Sequence, residues 1–182
     1  MMGAEACFKL EEIQTVSEAL DIAEDRIAGL YKFSLGQWKR HRYGVKTLRE
    51  LISEEIAREP AFALLTKYSA ENQAVEPRQR NKDFYSICLQ DHRILRALDR
   101  DQRLSLLPLM VYIFAHELIH IVRFCNFYQR FEVAGEGRRR EEAIVHAMTL
   151  DALSGLQMPN LDYILASYRA YMVCDLAVFQ GV

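Results

Sequence analysis

The sequence predicts a mainly α-helical fold, with about five helices and at most a small β-sheet. Apolar residues recur at steps of three and four through most of the chain, whereas step-two alternation is confined to a single short segment. Eight Gly and four Pro in 182 residues leave room for long unbroken elements. A hydrophobic fraction of 51% excludes intrinsic disorder and supplies enough side chains for one core. The reading is a single domain over 1–182, with an N-terminal helical region, 1–70, and a C-terminal metal-site region, 84–182.

The elements follow in order. Ile13, Val16, Leu20, Ala23, Ile27 and Leu30 form one stripe of an amphipathic helix over about 8–32. Val45, Leu48, Ile52 and Ile56 predict a second helix that ends before Pro60. Polar residues around Pro77 make 71–83 a loop. Tyr85, Ile87 and Leu89 alternate with Ser86, Cys88 and Gln90 as a short strand would, although Ile94, Leu95 and Leu98 suit a helix that would absorb it. Leu104–Phe127 reads as a buried helix with Pro108 in its first turn if Ser105 caps it. Gly135 and Gly137 break the chain, a helix runs from about Arg138 to Ser154, and Gly155 stops it. Asn160 then caps a last helix through Leu161, Ile164, Tyr168 and Met172.

Charge and cysteine usage narrow the function classes. A net charge of −2 gives no positive field to attract nucleic acid. The basic, aromatic stretch from Gln37 to Tyr43 is too short to change that, and reads as solvated surface. The uncharged apolar run Leu104–Ala115 is too short to span a bilayer, and the first residues lack the pattern of a secretory signal. Cys7, Cys88, Cys125 and Cys174 have no Cys-x-x-Cys spacing, so disulfides and a thiolate zinc site are not expected. Together these features predict a cytoplasmic protein with no nucleic-acid or membrane partner.

One motif carries chemistry. His116-Glu117-Leu118-Ile119-His120 places two imidazoles one helical turn apart on one face, where both reach a single tetrahedral ion. Glu117 lies round the helix from that face and is placed to act on a metal-bound water as general base. Ile113, Phe114, Leu118, Ile119, Ile121 and Val122 surround the motif, and two histidines and a glutamate are costly to bury there without partners.

These five residues resemble the signature of the zincin metallopeptidases. The metzincin branch would require Gly and His at positions held here by Arg123 and Asn126. The branch with a glutamate ligand on a following helix agrees better, and that resemblance implies His116, His120 and Glu142 as zinc ligands. His146 follows Glu142 by one turn, at a place where that branch carries Asp or Asn. It is a candidate for orienting a ligand, for stabilising an oxyanion, or for binding metal itself. Glu141, with the stripe Val145, Met148 and Ala152, is the rival ligand. Tyr163, Tyr168 and Tyr171 are lesser candidates for an oxyanion donor, and His92 for a ligand.

The resulting expectation is a zinc-dependent hydrolase acting on a peptide or protein substrate, with Glu117 and His146 as catalytic residues. In the resembling families a substrate strand pairs with an edge strand before the motif helix, a role that would fall to 85–90. The alternative is a non-catalytic metal-binding regulatory protein or helical interaction module, the metal closed off by His146 or Cys125.

Overall fold

A computed structural model describes residues 6–38, 41–58, 60–69, 83–126, 130–131, 134–168 and 174–180; for Leu35, Ser69 and 174–180 it describes the backbone only. Among them are six α-helices and four strands. These are α1 (Leu10–Tyr31), α2 (Leu35–Trp38), β1 (Tyr43–Lys46), β2 (Ala63–Ser69), β3 (Phe84–Leu89), α3 (Asp91–Arg100), α4 (Leu106–Cys125), α5 (Gly135–Leu153), α6 (Leu161–Ser167) and β4 (Cys174–Gln180).

Of the expected stripe α1 buries Val16, Ala23 and Ile27, joined by Ala19, while Ile13, Leu20 and Leu30 are partly buried; the helix packs against α4. At its end Lys32 adopts the left-handed conformation, and the Phe33 N–H returns to the Ala28 carbonyl at 2.8 Å. Pro108 sits in the first turn of α4, where its missing N–H removes no helical bond. Ser105 holds the N-cap position without a side-chain cap bond. α4 is long and apolar enough to cross a membrane, but Pro108–Val122 are all buried in the fold. Helices α1, α5 and α6 pack around it.

The sheet runs in the order β1-β3-β2-β4. β1 is parallel to β3, β3 antiparallel to β2, and β2 parallel to β4, with Val45, Leu65 and Ile87 in register. Leu65, Tyr85, Ile87 and Leu89 join the main core with α1 and α4, while Leu64 and Cys88 face a smaller cluster with Ala57 and Ala61.

Several expectations change. The predicted helix over Val45–Ile56 is strand β1 followed by two 3₁₀ turns, Leu48–Glu50 and Ser53–Glu55. Glu50 and Glu55 each accept the N–H three residues back, from Thr47 and Ile52, so each short turn has its own N-terminal cap. The N-terminal region is therefore not purely helical, since it supplies β1 and β2. In the segment 85–90, Tyr85 to Leu89 are strand and Gln90 precedes α3, which follows the strand rather than absorbing it. The strand lies inside the sheet with both edges taken, so it has no free edge for a substrate strand. α5 begins at Gly135, not Arg138: the left-handed Gly135 (φ +59°) turns the chain into the helix instead of breaking it. α6 ends at Ser167, and Asn160, itself left-handed, makes no side-chain cap bond. The loop expected over 71–83 lies, except for Asp83, outside the described residues, as do Tyr171 and Met172.

Candidate metal centre

α4 presents His116 and His120 on one face, and α5 packs across that face. The Nε2 atoms of the two rings lie 3.2 Å apart. Glu142 enters between them, its Oε2 3.2 Å from His116 Nε2 and its Oε1 3.4 Å from His120 Nε2. The three donor atoms lie within 4.8 Å of one another, and this is the group of that kind found among the described residues. His120 is fully buried, His116 is 2% exposed and the Glu142 side chain 13% exposed.

The electrostatics follow from this enclosure. Burial alone would raise the Glu142 pKa, but hydrogen bonds and charge from His116 and His120 outweigh it and hold the carboxyl well below the usual carboxylate range. For His116, burial opposes the charged ring, yet Glu142 at hydrogen-bond distance and the nearby Glu117 and Glu141 carry its pKa upward. For His120, burial prevails with the help of His116's charge, and its pKa falls.

Glu141 is nearly as buried as the histidines but points elsewhere. Both its oxygens are held by Arg123, Nε to Oε1 at 2.6 Å and an Nη to Oε2 at 2.8 Å. Glu141 Oε1 also lies 4.0 Å from Nδ1 of His120, the ring nitrogen turned away from Glu142. Of the two rival glutamates, Glu142 is therefore the one that meets both histidines. Glu117 is fully buried on α4 beside His116. His146 turns Nδ1 toward the Tyr112 hydroxyl at 3.2 Å and is not part of the donor group; neither are Cys125 and His92. Tyr163 is engaged with Asp101, which removes it as an oxyanion donor.

Two contributors are absent from the sequence reading, Arg123 and Tyr112. Both signals were present. Arg123 is the sole cation in α4 and follows His120 by three residues, and Tyr112 precedes His116 by four.

The donor set suits a metal ion on physical grounds. Two imidazole nitrogens and a carboxylate oxygen are the mixture zinc accepts. Nδ1 of His116 and Nδ1 of His120 have no hydrogen-bond partner among the described residues, so no such bond binds either ring to a tautomer that would protonate Nε2. Comparison with protein-family models, with curated proteins and with solved structures finds no match to this chain.

Proposed function

We propose that this protein is a zinc-dependent hydrolase that cleaves peptide bonds. The observation that carries the reading is the meeting of Glu142 with the two motif histidines from separate helices inside an apolar core, with Glu117 beside them. His116, His120 and Glu142 would hold the ion. When bound, zinc supplies a Lewis acid for a carbonyl and a water acidic enough to lose its proton near neutral pH.

The chain's own residues do the rest. The Glu117 carboxylate accepts the proton of the attacking water and delivers it to the leaving nitrogen. Its burial keeps competing water from that proton and strengthens the charge interactions inside. Arg123 fixes Glu141, whose carboxylate lies 4.0 Å from Nδ1 of His120 and adds negative charge on the far side of that ring.

A second reading is a metal-binding regulatory protein without turnover. The burial of the donor set favours it, because structural sites are closed and catalytic ones keep an open position. Incubation of the zinc-loaded chain with a mixed peptide library separates the two. Cleavage that disappears in Glu117→Gln supports the hydrolase, and an uncleaved library at full zinc occupancy supports the second reading.

A further inference from the structure

The His120 ring is packed on its faces and turns its two nitrogens to different neighbours. It lies nearly flat on Phe124, one turn further along α4, with centroids 5.6 Å apart and planes at 16°, and it meets the His116 ring edge-on at 4.9 Å. Nε2 faces His116 and Glu142. Nδ1 is buried and has no hydrogen-bond partner among the described residues. The carboxylate nearest to it is that of Glu141, with Oε1 at 4.0 Å.

That carboxylate has a fixed orientation. Arg123, three residues after His120 on α4, donates Nε–H to Oε1 at 2.6 Å and an Nη–H to Oε2 at 2.8 Å. Glu141 is itself 1% exposed, so little water competes for its remaining lone pairs. His116 differs. Among the described residues its contact with a carboxylate runs through Nε2, to Glu142, and its Nδ1 has no hydrogen-bond partner. The two motif histidines are thus unequal in what stands behind them.

An ion on Nε2 decides the chemistry of Nδ1. Nε2 gives its lone pair to the metal, so a neutral ring carries its one proton on Nδ1. A bare lone pair there is repelled by Oε1 of Glu141, whereas an N–H is drawn to it. Closing the gap to hydrogen-bond range takes a shift of about 1 Å. An imidazole that donates to a carboxylate is in turn the more basic ligand.

We infer that Glu141 is a positioning residue, held by Arg123, that accepts the Nδ1 proton of His120 when zinc occupies Nε2 and so makes His120 the tighter of the two histidine ligands. The inference rests on the zinc site of the proposed function and not on turnover. It gives the buried pair between α4 and α5 a task at the metal, because the side chain that ties the helices together also fixes a ligand.

Long-range ¹H–¹⁵N spectra of the full-length, zinc-loaded protein test this, with each ring assigned by through-bond correlation to its backbone. In the parent the Nδ1 proton of His120 should lie downfield of that of His116 and exchange more slowly with water. In Glu141→Gln, which leaves only a neutral acceptor, the His120 proton should move upfield while that of His116 stays. A pair that serves packing alone moves neither, and that result overturns the inference, as does a parent in which the two protons match. Should Glu141→Gln fail to fold, the parent spectrum decides.

Competition with a chelator supplies the second arm. Glu141→Gln should bind zinc about 10–100-fold more weakly than the parent, the usual effect of losing such a partner. Unchanged affinity overturns the positioning role. A parent that takes up no zinc overturns the metal site and this inference together, whereas zinc uptake with an unbonded His120 Nδ1 overturns the inference alone.

Discussion

Arg123 on α4 grips both carboxylate oxygens of Glu141 on α5 and so leaves the next residue, Glu142, to the two histidines. Adjacent glutamates thereby separate into different tasks. Helical geometry turns neighbouring residues about 100° apart, so only one of the two can face the motif while the other reaches the side of α4 that carries Arg123.

Alanine at the two positions should therefore fail differently. Glu142→Ala removes a donor and should lower zinc affinity sharply with a modest change in stability. Glu141→Ala removes the carboxylate that holds a mostly buried guanidinium, and breaking such a pair costs about 3–5 kcal/mol. Urea denaturation beside zinc titration checks this. Equal loss of zinc affinity in the two variants would contradict the division.

Glu117→Gln should keep its zinc and its fold while hydrolysis falls by roughly 10²–10⁴, the usual contribution of a general base. The amide preserves shape but cannot take the proton. Zinc content, a thermal melt and turnover of the same peptide measure the three effects, and parental turnover would remove Glu117 from the mechanism.

A separate ionic cluster on the far side of the sheet makes stability depend on pH. Lys46 Nζ lies 2.5 Å from the fully buried Glu55, which also accepts from the Tyr68 hydroxyl. Burial would raise the Glu55 pKa, but bonds from Lys46, Tyr68 and the Ile52 N–H lower it below its ordinary 4.5. A carboxyl held more acidic in the folded state adds stability above its unfolded pKa and loses it as pH falls through the folded value. Glu55→Gln should accordingly melt lower than the parent at pH 7, with the gap closing below about pH 4. A gap that stays constant down to about pH 2 would contradict this linkage.

Much of the fold was legible where a single helical stripe meets the core. Val16, Ala23 and Ile27 of α1, and the unbroken apolar run of α4, announce their elements through periodicity alone. The misreading of Val45–Ile56 has a definite origin. Its apolar residues fall at helical steps, yet Val45, in β1, packs against the main core while Leu51 packs against the smaller cluster. β2 escaped notice because a buried strand such as Ala63-Leu64-Leu65 shows no alternation. At the site, the histidine spacing was readable because both ligands share one helix. Glu142 was preferred to Glu141 in the sequence because His146 lies on its stripe, yet His146 is not in the donor group; what brings Glu142 to both histidines is the packing of α5 on α4, and Tyr112 and Arg123 matter only through partners on other elements.

The central claim is that His116, His120 and Glu142 hold zinc, and elemental analysis tests it most directly. Full-length protein purified without chelator should carry close to one zinc ion per chain, and His120→Ala should carry almost none. Protein that contains no transition metal, and takes up none on addition of zinc, would contradict the account at its root.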